Sequence, residues 1–409
     1  MELSDFKFLA TTAEYPSHSE ILAEFERYAD HFDLRRHLSF STTVNRCQRL
    51  RDGTWRVDIA GPNGSETRDY DFLVVANGHH WDPRMVEFPG EFSGLQLHAH
   101  HYVDVGDPHD LRDKNVVVVG MGNSAMDIAC ELAHVGQGAS KVFLSQRSGV
   151  WIIPKIFGNT PQDKLVRHPM VEASRLERFV RSYVPKRPLI ALSDWIMQTI
   201  VRFTVGHPRR VGLKTPLEPF HMRHPTVSQE IHNRLIHGDI TPKGNIKKLH
   251  GDRVEFEDGS VENVDAIIYA TGYNISFPFF EPEFISAPNN EIGLFQRIFD
   301  PKIDNLAFIA LVQPLCAMMP IAELQSQLLA AYITGSYHLP HTNEAEASAR
   351  NYDHTMKSLY TKSLSHTIQI ECMEYSYLLR EEWKKGAQRA RSAGNTLPVQ
   401  PKQHSQAVA

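Results

Sequence analysis

Two segments of the chain repeat one pattern of apolar and polar positions. Residues 53–78, GTWRVDIAGPNGSETRDYDFLVVANG, alternate, turn at Gly61-Pro62-Asn63-Gly64, run on as a short strand, and end in an apolar run that stops at Ala76-Asn77-Gly78. Residues 251–272, GDRVEFEDGSVENVDAIIYATG, do the same through Glu257-Asp258-Gly259 and stop at Ala270-Thr271-Gly272. Alternation predicts half-buried strands joined as hairpins, and the apolar runs predict buried strands. An Asp opens each final run at the same spacing from its Gly, Asp71 to Gly78 and Asp265 to Gly272, so the two segments read as copies.

Between the copies lies NVVVVGMGNSAMDIACELAHVGQGASKVFLSQR, residues 115–147. A valine run ends at Gly120, an amphipathic helix is predicted from the Gly-rich turn to about His134, and a second strand begins near Lys141. This is a strand-turn-helix-strand unit of about 30 residues. Gly120 permits the tight turn, and Gly122 lets the N–H groups of Asn123, Ser124 and Ala125 approach a pyrophosphate at the positive end of the helix. Ala125 stands at the third glycine position, which the dinucleotide fingerprint allows. The second strand ends in Ser145-Gln146-Arg147, with no acid to accept from a ribose hydroxyl, and a guanidinium there favours NADPH over NADH. The alternative, Arg147 as a solvated surface arginine, stays open.

Composition narrows the class. The chain has 409 residues, 42% hydrophobic and 22% charged, which excludes disordered and fibrous classes and predicts two or three domains. A formal net charge of −5 offers no footprint for a nucleic acid. The apolar stretch 189–205 is interrupted by Asp194, Gln198 and Arg202, a polar stripe at helical spacing that argues against a transmembrane anchor and for a helix packed on the protein or lying at an interface. Cys47, Cys130, Cys316 and Cys372 include no Cys-x-x-Cys pair, and the N-terminus lacks the features of a signal peptide, so a reducing cytoplasm is expected. His98, His100 and His101 form a cluster without a supporting carboxylate pattern, and no metal site is assigned. Cys130 reads as core, and His79 and His80 read as lining a nucleotide crevice. The tail from Thr396 is expected to fray.

The residues resemble the flavin-containing monooxygenases along nearly the whole chain. Phe92-x-Gly94-x-x-x-His98-x-x-x-Tyr102 looks like the family's identifying motif, GMGNSAMDIA (120–129) like its NADPH loop, and Tyr269-Ala270-Thr271-Gly272-Tyr273 like its Ala-Thr-Gly-Tyr strand end. HPTVSQEIHNRLIHGDI (224–240) and LVQPLCAMMPIAELQ (311–325) also read like family segments. Tyr102 stands where the related Baeyer-Villiger enzymes carry Trp, which tilts towards N- or S-oxygenation. Gln146 and Ser148 stand where the family commonly has Thr and a second Arg, which implies a weaker phosphate site.

The resemblance implies an α/β flavoprotein with two dinucleotide-binding domains of Rossmann-like three-layer parallel sheets. The expected boundaries are a discontinuous FAD domain over 1–104 and 255–409, and an NADPH domain over 105–254 with a helical insertion at about 155–225 that roofs a substrate channel or merely covers the sheet. FAD contacts are expected from Val44, Gly78, Thr271, Gly272 and Gln313, and NADPH contacts from Gly120, Gly122, Asn123, Ser124, Ala125, Ser145 and Arg147. No catalytic side chain is assigned, because the flavin carries the chemistry: NADPH reduces FAD, O2 adds, and a soft nitrogen or sulfur nucleophile is oxygenated.

Two closing Ala-x-Gly strands imply two opening Gly-rich units, yet one is present. The expectation is therefore an N-terminally incomplete chain whose FAD-binding unit and active-site Asn lie upstream of Met1, with apolar strand edges exposed at 72–76 and 266–270. Alternatives are a catalytically inactive NADPH-binding protein, a Baeyer-Villiger ketone monooxygenase, or a disulfide-reductase-type flavoprotein, the last disfavoured by the lack of Cys-x-x-Cys. The substrate is a small molecule of unknown identity, and a homo-oligomer is left open.

Overall fold

The computed structural model describes residues 2–397 except 166, 173, 176, 178, 180–182, 185, 221–223 and 360–366; the tail from 398 onward, expected to fray, lies outside the described residues. At its centre is a five-stranded sheet in the order Ile240–Lys243, Lys141–Ser145, Asn115–Val119, Ala266–Tyr269, Leu95–His98. Every pairing in it is parallel. A parallel sheet buries both faces, which is why its three inner strands are apolar from Val116 to Val119, from Val142 to Leu144 and from Ala266 to Ile268. Alternate side chains divide between the two sides: Val116, Val118, Leu144 and Ile268 pack under the helices Asn123–Leu132 and Ile231–His237. Val117, Val119, Phe143 and Ile267 pack instead against Ile246, Leu249, Val254 and Phe256 of a smaller four-stranded sheet. Burying one such aliphatic side chain contributes about 1.5–3 kcal/mol, and a one-residue slip would send each to the wrong face, so the register is strongly held.

This sheet corrects the expected domain boundaries. Leu95–His98 and Ala266–Tyr269 were expected in the FAD domain, yet they hydrogen-bond into the sheet of the Gly-rich unit, because parallel pairing joins strands by register and not by their order in the chain. The apolar edge expected at 266–270 is also corrected: Ala266–Tyr269 is paired on both sides and buried throughout.

The repeat is visible as two three-stranded antiparallel meanders, each followed by a buried parallel strand. Thr43–Arg49, Trp55–Gly61 and Gly64–Tyr70 precede Leu73–Val75, and Ile246–Gly251, Arg253–Phe256 and Val261–Asn263 precede Ala266–Tyr269. Leu73–Val75 pairs in parallel with Leu306–Phe308, and Val74 in it is exposed. The first meander packs through Trp55, Val57 and Ile59 on Phe277, Phe280 and Phe308, and the Trp55 indole donates to the Asn305 carbonyl at 3.0 Å. A third core joins the helices Met318–Ile333 and Cys372–Ser392. Cys316 and Cys372 form a disulfide between the starts of these helices, which the scattered cysteine positions did not reveal.

The helix Lys186–Thr204 forms as the spacing predicts, and its polar stripe runs from a buried Asp194 through a half-buried Gln198 to an exposed Arg202, beside the buried Val201. Gln198 donates to Asp194 at 2.7 Å, Arg202 donates to Gln198 at 3.2 Å, and Asp194 is 8% exposed, whereas Trp195 is 66% and Phe203 88% exposed. Among the described residues, no helix is long and apolar enough to cross a membrane.

Backbone closeness at the centre of the sheet gives a stability test. At Gly120, φ is +141° and an added Cβ would stand 2.5 Å from the Ala270 carbonyl oxygen, whereas at Gly122 an added Cβ meets nothing within 4 Å. Gly120→Ala is expected to destabilise the fold by about 1–3 kcal/mol in urea unfolding, and Gly122→Ala by less than about 0.5 kcal/mol. Equal effects would contradict this packing.

Candidate functional site

The valine strand ends at Val119, and the chain turns through Gly120-Met121-Gly122 into the helix Asn123–Leu132. Gly122 is the N-cap, no side chain caps the helix, and no acid lies in its first turn. The first N–H groups of a helix have no intrahelical partner, so this end presents donors and a positive dipole to solvent above an open Gly122. The loop is fixed from the side: the Thr226 hydroxyl donates to the Met121 carbonyl at 2.6 Å, and the Asn123 amide oxygen accepts from the Val227 N–H at 2.9 Å. Ala125 is fully buried at the helix–strand contact, which accounts for a small residue there, and Ser124 is exposed at the helix start.

Of the residues expected at the ribose end, Arg147 is exposed and Ser145 is buried, with its hydroxyl donating to the Gly244 carbonyl at 3.1 Å. Gln146, a departure from the family pattern, is a buried clasp: its amide oxygen accepts from the Lys214 N–H at 2.6 Å, and its Nε2 donates to the Gly212 carbonyl at 3.3 Å.

The two repeat ends meet beside this turn. Gly78 has φ +72° and Gly272 φ +86°, values that favour glycine, at matching positions after their strands. The Arg84 N–H donates to the Gly272 carbonyl at 3.0 Å, Arg84 Nη2 donates to the Thr271 carbonyl at 2.6 Å, and Tyr273–Asn274 pairs with Asp82–Pro83. Residues 77–84 therefore lie along 271–276, which brings Gly78, Thr271 and Gly272 into one region. Among the described residues, no hydrogen bond joins Val44 or Gln313 to it; Val44 sits on the first meander, and Gln313 pairs with Gln369 near the disulfide.

The Phe92-Gly94-His98-Tyr102 motif turns out to be a clamp on this region. An added Cβ at Gly94 would stand 2.5 Å from the Asp265 carbonyl oxygen and 2.6 Å from the Phe92 ring. Phe92 packs on the sheet face that meets the smaller sheet, and Tyr102 on the face under the helices. His98, 3% exposed, accepts from the His100 N–H through Nδ1 at 3.0 Å and lies 3.1 Å from the Gly272 carbonyl through Nε2. These partners require the neutral Nε2–H tautomer and leave no lone pair for a metal. Among the described residues, no group of three or more His, Cys, Asp or Glu could hold a metal ion.

Burial pushes the His98 ring below the ordinary imidazole value. Burial, with the neighbouring His80, pushes His79 down to about 4, and its Nε2 is buried without a hydrogen-bond partner. An orphaned ring nitrogen next to the Gly78 turn fits a site completed by a polar ligand. The Cys130 thiol is pushed up to about 12 by burial, as suits a core residue. Arg84 was not picked out in the sequence; its only signal is contact with the Thr271-Gly272 turn, which no local pattern carries.

The chain matches the model of the family described as "FMO-like: Flavin-binding monooxygenase-like" over residues 1–382. It is 33% identical over 389 residues to flavin-containing monooxygenase 5 of Oryctolagus cuniculus, covering 91% of this chain and 69% of that protein. It is 31% identical to dimethylaniline monooxygenase [N-oxide-forming] 2 of Macaca mulatta, with the same coverage. Among solved structures, S-allyl-L-cysteine S-oxygenase from Allium sativum is similar with TM-score 0.63 at 23% identity, over 96% of this chain and 76% of that one. An oxidized steroid monooxygenase bound to NADP is similar with TM-score 0.65 at 18% identity, over 93% and 85%.

Histidines held neutral by burial make stability depend on pH. Between about 6.5 and about 4 the unfolded chain binds protons that folded His79 does not, so its contribution is present at neutral pH and lost as pH falls through that window. Unfolding free energy is expected to drop more steeply from pH 7 to pH 5 in the native chain than in His79→Gln. Parallel pH profiles would contradict a buried neutral His79.

Proposed function

The chain belongs to the flavin-binding monooxygenase-like family, and on that premise we propose that it is an NADPH- and FAD-dependent monooxygenase acting on a soft nitrogen or sulfur nucleophile. The observation that carries the nicotinamide half is the uncapped helix start at Asn123 above an open Gly122, with the exposed Arg147 at the end of the neighbouring strand. In this reading the N–H groups of Asn123, Ser124 and Ala125 bind the NADPH pyrophosphate, and Arg147 binds the ribose 2′-phosphate. The FAD half is assigned to the region of Gly78, Thr271 and Gly272, where two positive-φ glycines allow close backbone approach and the orphaned His79 Nε2 awaits a polar partner. Val44 and Gln313 are assigned to the same cofactor from the resemblance.

Bound FAD and NADPH supply the hydride transfer and the activation of O2. The chain's own residues position and exclude. His98 and Arg84 fix the Thr271-Gly272 turn, Thr226 and Asn123 fix the Gly-rich turn, and the neutral His98 and His79 avoid placing a fixed positive charge in a buried region. The relative named as forming an N-oxide supports nitrogen as the oxygenated atom.

The test is product analysis with NADPH, FAD and O2 on a tertiary amine, a thioether and a cyclic ketone. N-oxide or sulfoxide is expected, and lactone alone would contradict the substrate class. Gly122→Val is expected to fold like the native chain, since its Cβ has open space, yet to lose at least about tenfold in NADPH affinity by blocking the pyrophosphate. Arg147→Ala is expected to weaken NADPH by about tenfold to a hundredfold while sparing NADH. Unchanged NADPH affinity in a folded Gly122→Val chain would remove the dinucleotide from this turn.

A further inference from the structure

A cleft of about 390 Å³ opens beside Arg147 at the end of its strand, and Arg209 lines it as well. The wall also includes Lys214 and Gly149, and among the described residues no carboxylate lines the cleft. The three cations differ in their engagement. Lys214 Nζ lies 2.8 Å from Glu257 Oε2 and donates to the Arg147 carbonyl at 3.2 Å, so its charge is already matched and it steadies the backbone that bears Arg147. Among the described residues, neither Arg147 nor Arg209 has a carboxylate partner, and both are exposed.

The two guanidiniums belong to segments that are fastened together. Arg209 lies in the short turn Pro208–Val211, whose start is capped by His207 Nδ1 accepting from the Arg209 N–H at 3.2 Å. That turn ends at Gly212, and the buried Gln146 holds both the Gly212 carbonyl and the Lys214 N–H. Gly149 closes the join, since a Cβ there would stand 2.3 Å from the Lys214 carbonyl oxygen. A further guanidinium lies near: Arg84 is pulled below the ordinary guanidinium value by burial and then by the charge of Arg147. Like charges held together on a tied framework, with no acid among the described lining residues, make the cleft attractive to an anion.

We infer that Arg209 supplies the second guanidinium of the ribose 2′-phosphate subsite, reaching across the cleft from Arg147. This rests on the NADPH reading above and deepens it. A phosphomonoester carries about −1.5 to −2 charge near neutral pH, which two guanidiniums match and one does not. Ser148 leaves the position next to Arg147 without a charge, and the loop held by Gln146 brings one from a distant part of the chain. Lys214 acts here as a positioning residue.

Calorimetric titration of the full chain with adenosine 2′,5′-bisphosphate, 5′-ADP and inorganic phosphate tests this. The native chain is expected to prefer the 2′,5′-bisphosphate over 5′-ADP. Arg209→Ala is expected to weaken the bisphosphate about tenfold and to leave 5′-ADP within about twofold, Arg209→Lys to recover part of the loss, and the adjacent exposed Arg210→Ala to change neither. Thermal unfolding of each variant checks that the fold is retained. If Arg147→Ala loses bisphosphate affinity and Arg209→Ala does not, the NADPH reading stands and the role of Arg209 is overturned. If the native chain does not prefer the bisphosphate, the NADPH reading fails and this inference with it. Inorganic phosphate binding as tightly as the bisphosphate would make the cleft a free-phosphate site and overturn the assignment.

Discussion

The approach of the Gly120 backbone to the Ala270 carbonyl oxygen governs the geometry of the candidate site. A side chain at Gly120 would need to occupy space 2.5 Å from that oxygen, so the two neighbouring strands can end in adjacent turns only because one of them ends in glycine. The helix Asn123–Leu132 then starts directly over the sheet, and the Thr271-Gly272 turn lies beside it. His98 and Arg84 hold that second turn from the other side through the Gly272 carbonyl. Two strand ends, a helix start and a buried histidine thus form one rigid rim at the carboxyl edge of a parallel sheet, which is where ligands bind in folds of this kind.

Much of this was legible in the sequence because it rests on local periodicity. The valine run, the Gly-rich turn and the helix after it appear where the pattern puts them, and both repeat ends have the positive-φ glycine that Gly78 and Gly272 imply. The parts that were not legible depend on contacts between distant segments. Strand order in a parallel sheet is not written in any window, so the boundaries near 104 and 254 cut through pairings that the folded chain makes. The Cys316–Cys372 bond closes a long loop with no spacing signature. The stripe of Asp194, Gln198 and Arg202 was correctly placed on one helix face, but periodicity cannot say how deep each position lies, and here Asp194 is buried while Arg202 is exposed.

The identifying motif shows how a family pattern becomes physical. Gly94 is required by the closeness of the Asp265 carbonyl and the Phe92 ring, and His98 by two backbone partners. Neither residue has to touch a ligand for its replacement to disturb the site. The electrostatics are equally local. A chain of net charge −5 presents a cleft lined by Arg147, Arg209 and Lys214 with no acid among the described residues of its wall, so whole-chain charge says nothing about what that cleft receives.

The most direct measurement is a crystal structure of this chain grown with NADP+ and FAD. The account predicts pyrophosphate oxygens of NADP+ within hydrogen-bond distance of the N–H groups of Asn123, Ser124 and Ala125, over an unobstructed Gly122. A nucleotide bound elsewhere, with those N–H groups facing only water, would contradict the central claim that this helix start is the dinucleotide site.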